Sequence, residues 1–589
     1  ALSKTLSYDE NAANSEFSET ANALAYTLEN NLFIDDSKGK THQITRDEDA
    51  TIVNGQAVHR YEFGVYKGTF WSNTGSHLAF YRKDESMVSD YPIVNTDARV
   101  AEVNIIKYPM AGMVSHQVTL GIYNLKTEKT IFVKTEGDKE QYLTNIAWSP
   151  NDKHIYIAVL NRDQNHVKLN KYDAETGDFV KTLFEERHEN YVQPLHPMLF
   201  VKGNDQEFLW RSERDGYDHI YRYSVNGELL NQVTKGKWVV KDILGFNNKS
   251  VLLTGTANNG LETQVYKSPL KNARSKMITD DAGVHRVKIN TEGSYIIDSF
   301  TSIENHGTIE IITNSGLVEQ TRLQSKNPYA NTIIGSTELY TIKAEEGTDL
   351  NCRMIKPANF DATKSYPALV YVYNGPGVQL INNTSLASAS LWMHYLANEY
   401  NYIVFTVDGR GSENRGREFE QAIFRNLGEV EMKDQITGVE HLKSLGFVDE
   451  NRIAVHGWSY GGFMTTNLLC SYPNVFTCGV AGGPVIDWKF YEIMYTERFM
   501  DTPQTNSEGY EKASLLNKAK YLQDDLLMIH GTQDDVVVWQ HSLAFVQECV
   551  SAGVQLDYFP YPGHAHNVRG KDRVHLMRKV IDYIVENNK

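Results

Sequence analysis

Arg452-Ile453-Ala454-Val455-His456-Gly457-Trp458-Ser459-Tyr460-Gly461-Gly462-Phe463-Met464-Thr465-Thr466-Asn467-Leu468-Leu469 decides the fold of the second half of this chain. An apolar run leads into G-x-S-x-G, and a run of helical character leaves it. Strand, sharp turn and helix around such a serine form a nucleophile elbow, the mark of an α/β-hydrolase sheet. The turn forces the serine into a strained conformation that lifts its hydroxyl clear of the sheet, and flanking glycines keep the turn unobstructed. The bare pattern is weak, arising by chance about 0.2 times in a chain of this length at ordinary residue frequencies. Its flanks sharpen it, and it predicts an acid and then a histidine on loops after later strands.

Both follow. The apolar run Leu526-Leu527-Met528-Ile529-His530 is succeeded by Gly531-Thr532-Gln533-Asp534-Asp535. Leu556-Asp557-Tyr558-Phe559 is succeeded by Pro562-Gly563-His564-Ala565-His566. A serine hydroxyl is a poor nucleophile until a base takes its proton. Order and position nominate one aspartate of Asp534 and Asp535 and one histidine of His564 and His566. Spacing alone does not choose within either pair. His575 falls in the last helix and reads as structural.

The two halves have different grammar. From about Lys343 onward apolar strands alternate with helices, among them 368–373, 402–407, 452–455 and 526–530 against 431–444 and 574–586. That alternation means a mostly parallel sheet covered on both faces. Gly409-Arg410-Gly411-Ser412 follows a strand, but the next glycine is Gly416, so the G-x-G-x-x-G of a dinucleotide site is not met. Before residue 335 the chain reads as short strands and turns. A phrase recurs: Phe70-Trp71-Ser72-Asn73-Thr74-Gly75 before His77-Leu78-Ala79-Phe80-Tyr81, and Ala147-Trp148-Ser149-Pro150-Asn151-Asp152 before His154-Ile155-Tyr156-Ile157. Weaker copies lie at Gly245-Phe246-Asn247-Asn248 and Ile289-Asn290-Thr291-Glu292-Gly293-Ser294, and 24–26 and 208–210 look like matching strands of two more. A repeat of roughly 45–55 residues with one wider gap is the period of four-stranded propeller blades. The expected architecture is therefore a β-propeller, 1–335, followed by an α/β-hydrolase domain, 336–589.

Bulk properties narrow the partners. At 589 residues the chain is too long for one core. Its net charge of −16 argues against nucleic acid and anionic membranes and suits attraction of a cationic group such as a peptide amino terminus. No apolar run approaches a membrane span. No segment reads as a signal peptide, and a chain that starts at Ala1 rather than Met suggests a processed or trimmed form. Cys352, Cys470, Cys478 and Cys549 have neither disulfide-framework nor zinc-site spacing, so no metal site is expected.

The hydrolase half resembles the dipeptidyl peptidase IV branch of the prolyl oligopeptidase family. Gly457–Gly462 reads as that branch's G-W-S-Y-G-G signature. Asp408-Gly409-Arg410-Gly411-Ser412, Tyr373-Asn374-Gly375-Pro376 and His530-Gly531-Thr532-Gln533-Asp534-Asp535 match as well. Local similarity to bacterial prolyl tripeptidyl peptidases runs through 491–498, 536–542 and 566–576. The resemblance implies Ser459 as nucleophile, Asp534 as acid and His566 as base. It implies Tyr373 and the Tyr460 backbone N–H as oxyanion donors, and Tyr460, Val485, Trp488, Tyr491 and Tyr495 as walls of a proline pocket. A flat pyrrolidine ring suits an aromatic slot. For the substrate's amino terminus the branch uses a Glu-Glu pair, but here Val58-His59-Arg60-Tyr61-Glu62-Phe63-Gly64 supplies Glu62 alone, with Glu492 in the hydrolase half as the second candidate anchor. Val536 replaces an asparagine that the branch uses to bind a substrate carbonyl. Both departures question strict dipeptidyl specificity.

The resemblance implies a post-proline serine exopeptidase releasing Xaa-Xaa-Pro or Xaa-Pro. It implies no cofactor, peptides with proline near the amino terminus as partners, a homodimer, and a bacterial periplasmic, cell-surface or secreted location. The region 1–335 is short for the family's eight-bladed propeller, so six to seven blades with an open rim are expected. Competing readings are an acylaminoacyl peptidase or oligopeptidase on the same scaffold, and a binding protein on an inactive hydrolase scaffold.

Overall fold

The computed structural model describes residues 8–589, so Ala1 and the rest of 1–7 lie outside it. Among the described residues six antiparallel blades occupy 13–43, 52–132, 142–187, 199–232, 240–277 and 284–324, the second with its inner strand in two pieces and the last two joined by a single parallel bridge, Thr263 to Val284. The recurring phrase does a definite job. Its tryptophan donates to the preceding blade: Trp71 Nε1 to the Glu16 carbonyl at 3.3 Å, and Trp148 Nε1 to the Phe70 carbonyl at 3.0 Å. Its polar turn joins neighbours too, since Asp152 of one phrase accepts from the backbone N–H groups of Asn73 and Thr74 in the previous phrase, both at 2.9 Å. The two full copies of the phrase thus rivet the second and third blades to the ones before them, which is why the period is most visible there. The sixth blade leaves one face open, with Tyr295 and Ile297 about half exposed and every residue of its last strand, Val318–Gln324, exposed.

The wide gap in the repeat is in the second blade. A segment at 55–68 interrupts its inner strand, and a hairpin, Asp90–Asn95 with Glu102–Lys107, stands out as an arm.

The hydrolase sheet comprises β1 (Ser336–Lys343), β2 (Asp349–Lys356), β3 (Tyr366–Tyr371), β4 (Ile403–Asp408), β5 (Val448–Trp458), β6 (Cys478–Gly482), β7 (Asp525–Gly531) and β8 (Asp557–Tyr561). Their order is β1-β2-β4-β3-β5-β6-β7-β8. β1 and β2 pair antiparallel, as do β2 and β4, and the remaining pairs are parallel. The central strands are continuously apolar because helices cover both faces. Those used below are α1 (Leu391–Tyr400), α2 (Val430–Ser444), α3 (Tyr460–Ser471), α4 (Ile493–Met500), α5 (Gln540–Ala552) and α6 (Asp572–Asn587). Among the described residues no helix is long and apolar enough to cross a membrane.

The two domains are locked together by α4. Its Ile493 and Met494 pack within the propeller's own core around Tyr142 and Trp210. Glu497 binds Arg162 of the third blade and accepts from Gly112 N at 2.8 Å. Met110 and Glu492 form an antiparallel bridge, flanked by Ala111 N to Tyr491 O and Ile493 N to Pro109 O, each 2.9 Å. A cavity of about 440 Å³ remains between the domains, lined by Arg211, Glu213 and Asp218 on one side and Pro376, Gly377 and Glu420 on the other.

Candidate active site

Ser459 sits between β5 and α3 with φ 62° and ψ −118°, the strained conformation expected of an elbow. Crowding explains the glycines. A Cβ at Gly457 would lie 2.3 Å from the Val372 carbonyl oxygen, and one at Gly461 equally close to the same atom. Ser459 N donates to Gly482 O at 2.7 Å, pinning the elbow to β6.

Asp534 follows β7 and is 1% exposed. Its Oδ1 accepts from the backbone N–H groups of Val536 and Val537 at 2.9 Å. Its Oδ2 meets His566 Nδ1 at 2.7 Å and His530 Nε2 at 3.2 Å. Burial pushes this carboxyl up, but the two histidines outweigh burial and hold it well below the usual carboxylate range. His566 is fixed from behind by Trp458 Nε1, which donates to its carbonyl at 3.0 Å. The alternatives that spacing left open lie elsewhere: Asp535 is exposed, His564 pairs with Asp572 at 2.8 Å, and His575 Nδ1 meets Tyr561 OH at 2.8 Å.

Tyr373 lies two residues beyond β3, half-buried, and the Ser459 hydroxyl acts on its phenol, pulling it down slightly against burial. Burial pushes that phenol up to about 12, so it remains a donor at neutral pH. Its ring is 6.1 Å from that of Tyr460. The Gly375 backbone is wedged between the two, since a Cβ there would lie 2.7 Å from Tyr373 Cε1 and 2.8 Å from Tyr460 Cγ. Beyond Tyr460 comes an aromatic box. Trp488 is 5.5 Å from Tyr460, 5.8 Å from Tyr491 and 6.1 Å from Tyr495, and the last two are 5.4 Å apart. Val485 is buried and packs in the same core.

Glu62 of the propeller pairs with Arg498 of α4, the helix that Glu492 caps, and the charge of Glu62 acts on Glu492. Glu492 is buried and caps α4, accepting from Met494 N at 2.8 Å and Tyr495 N at 2.9 Å. Burial first and Glu62 second push its carboxyl up to about 7. Glu62 is held by Arg498 Nη1 at 2.8 Å. It stands on a segment in which His59, Arg60, Tyr61 and Phe63 all have left-handed φ between 51° and 67°. Such strain persists only where surroundings over-determine it. Arg60 contributes by donating to Asp535 O at 2.8 Å and stacking 4.7 Å over Tyr108.

Sequence reasoning missed four participants. His530 is the second histidine on Asp534, and its signal was available: it lies near the end of β7, four residues before the aspartate. Arg498 reaches out of α4 to Glu62, with its Nε donating to Gln164 Oε1 at 2.9 Å. The arm brings Tyr108, whose hydroxyl donates to Val536 O at 2.7 Å. Glu431 of α2 accepts from Tyr460 OH at 2.5 Å. The last three depend on contacts between distant segments and had no local signal.

The arrangement contains a buried, ionised carboxylate orienting an imidazole, a strained serine, a neutral phenol donor beside it, an aromatic box and two acids. Comparison with known proteins fits this inventory. The family model for the dipeptidyl peptidase IV N-terminal region matches residues 1–306, and that of the prolyl oligopeptidase family matches 387–589. The chain is similar to a candidate dipeptidyl aminopeptidase IV from Bacteroides ovatus, at 44% identity and TM-score 0.95 over 99% of this chain and 85% of that one. It is similar to Porphyromonas gingivalis dipeptidyl peptidase 4, at 30% identity and TM-score 0.91 over 97% and 82%. A probable dipeptidyl-aminopeptidase B of Talaromyces stipitatus is 30% identical over 94% of this chain. The chain spans about two thirds of the length of such curated relatives, 65% in that case. One family model over residues 1–306, a second over 387–589, and a solved relative superposing on nearly the whole chain place it in the dipeptidyl peptidase IV branch of the prolyl oligopeptidase family.

Proposed function

We propose that this chain is a serine exopeptidase that releases short amino-terminal peptides by cleavage after proline. One observation carries the reading: Asp534 and His566 share a 2.7 Å hydrogen bond, and His566 is tied through its carbonyl to Trp458, the residue that precedes Ser459 on its strained elbow. With His566 Nδ1–H directed at Asp534, Nε2 is left as the base. Ser459 Oγ attacks the carbonyl carbon of the scissile bond while His566 Nε2 takes its proton, and the imidazolium is stabilised by Asp534. Tyr373 OH and the Tyr460 N–H donate to the developing oxyanion, each such donor being worth about 3 kcal/mol of barrier. His566 returns the proton to the leaving amine, and water hydrolyses the acyl-enzyme by the same steps in reverse. No step calls for a metal or organic cofactor.

The box of Tyr460, Val485, Trp488, Tyr491 and Tyr495 takes the proline ring, and Glu62 and Glu492 take the substrate's ammonium group. One anchor on the propeller and one at the start of α4, in place of two adjacent acids, supports release of a tripeptide, Xaa-Xaa-Pro. Mass spectrometry of products from Ala-Ala-Pro-X and Ala-Pro-X peptides, with free and acetylated amino termini, tests this. Free Ala-Ala-Pro as the main product, lost on acetylation, is expected. Efficient cleavage of the acetylated peptides would instead favour an acylaminoacyl peptidase or oligopeptidase.

A further inference from the structure

Helix α2 carries polar side chains where a core helix should be apolar. Glu431, Asp434 and Gln435, spaced i, i+3, i+4 and therefore on one face, are all 0% exposed. Burying such groups is unfavourable unless they are hydrogen-bonded, so what they bind is informative; only the Gln435 Oε1 lacks a partner among the polar atoms of these three side chains. Glu431 accepts from Tyr460 OH at 2.5 Å and from Gly428 N at 3.0 Å. Asp434 accepts from Arg410 N at 2.7 Å and from its guanidinium. Gln435 Nε2 donates to Asn374 Oδ1 at 2.8 Å and to Val407 O at 3.0 Å.

Asn374 directly follows Tyr373. It is 1% exposed and has a left-handed φ of 60°, a conformation that costs energy and must be enforced. Its side chain enforces it: Oδ1 accepts from Gly409 N at 2.9 Å as well as from Gln435, and Nδ2 donates to Arg410 O at 2.9 Å. The same helix face therefore grips the residue beside Tyr373 with Gln435 and the ring of Tyr460 with Glu431, four residues apart. A rigid helix spaces two groups more accurately than two loops can.

We infer that the buried ridge of α2 is the alignment device of the oxyanion site, with Gln435 positioning Tyr373 through Asn374 and Glu431 positioning Tyr460. This rests on the peptidase reading above. Both are positioning residues, since neither touches substrate.

The test is a pair of mutant cycles, read by turnover of p-nitrophenyl acetate, which needs the oxyanion donors but no proline pocket, and of Ala-Ala-Pro-p-nitroanilide. Gln435→Met is nearly isosteric and lacks the donor. It is expected to lower kcat about tenfold or more, approaching the 10²–10³ of outright donor loss, with KM within about twofold. In a Tyr373→Phe background the same substitution should change kcat by less than about twofold, because the group it positions is already gone. An equal loss in both backgrounds, or a loss confined to KM, would overturn the inference. If Gln435→Met does not fold, Asn374→Gly, which tolerates the backbone but cuts the link, repeats the cycle with the same expectations. For the other donor, Glu431→Gln keeps an acceptor for Tyr460 OH and should retain most of kcat, whereas Glu431→Leu and Tyr460→Phe should lose it to a similar degree. Equal activity of the Gln and Leu variants would overturn that half. A wild-type chain inert to both substrates would sink the peptidase reading itself, and this inference with it.

Discussion

Replacing Asp534 by asparagine changes one atom, and the structure dictates which one. Oδ1 accepts two backbone N–H groups at 2.9 Å, so the amide must keep its oxygen there. The new NH₂ then takes the place of Oδ2, 2.7 Å from His566 Nδ1 and 3.2 Å from His530 Nε2. Two donors cannot face each other at that distance. His566 must give up its Nδ1 proton, which moves to Nε2 and points a donor instead of an acceptor at Ser459. The wrong tautomer in such a triad lowers kcat about 10⁴-fold, or about 5.4 kcal/mol at 1.36 kcal/mol per decade. KM should stay within about twofold, since the pocket is untouched, whereas the melting temperature should fall, because the contacts of Oδ2 with His566 and His530 are lost even though the Oδ1 bonds survive. Steady-state hydrolysis of Ala-Ala-Pro-p-nitroanilide measures the loss. Asp535→Asn is the control, expected within about twofold of wild type because that side chain is exposed. An Asp534→Asn enzyme keeping more than a tenth of wild-type kcat, or an Asp535→Asn enzyme losing as much, would refute the assignment.

Other outcomes follow from the same geometry. Glu492, pushed up to about 7, becomes an anion as pH rises through neutrality, so KM for free-amine peptides should fall between about pH 6 and 7.5, before the substrate's own ammonium titrates near 8. Glu492→Gln should flatten that profile. The linkage has a stability side with a definite sign: a carboxyl raised from 4.5 to about 7 binds its proton more tightly in the folded chain, so stability declines as pH climbs through that window, and less steeply in Glu492→Gln. Acetylating the substrate's amino terminus, or Glu62→Gln, should lower kcat/KM about 10–100-fold, the 1.5–3 kcal/mol of a charged hydrogen bond. Gly375→Ala should push apart the two tyrosines that now contact its backbone, with kcat falling about tenfold or more and KM moving less, as stopped assays on either chromogenic substrate would show.

Much of this was legible in the sequence because the physics is local. The elbow needs glycines at fixed offsets, and the order of serine, acid and histidine follows from strands that each end at one sheet edge. The propeller was legible through its Trp-Ser turn phrase, since the two full copies bond to the blades before them and so need the same residues. The choice of Asp534 over Asp535 was not legible from spacing, because it depends on two backbone N–H groups folding back after the turn. The resemblance named the residue, and the hydrogen bonds supply the reason. The shared place of Glu62 and Glu492 was foreshadowed by family likeness, but the Arg498 and Arg60 contacts that fix it join segments hundreds of residues apart. The α2 ridge illustrates a readable pattern left unread: three polar residues at i, i+3, i+4 inside an otherwise ordinary helix ask what they hold.

In the proposed mechanism one serine is made nucleophilic by its surroundings. Incubation with a fluorophosphonate, followed by intact-mass measurement and peptide mapping, tests it most directly. A single adduct on Ser459 is expected, formed in parallel with loss of peptidase activity, absent from Ser459→Ala and strongly slowed in Asp534→Asn. An unlabelled native chain, or an adduct that persists in Ser459→Ala, would contradict it.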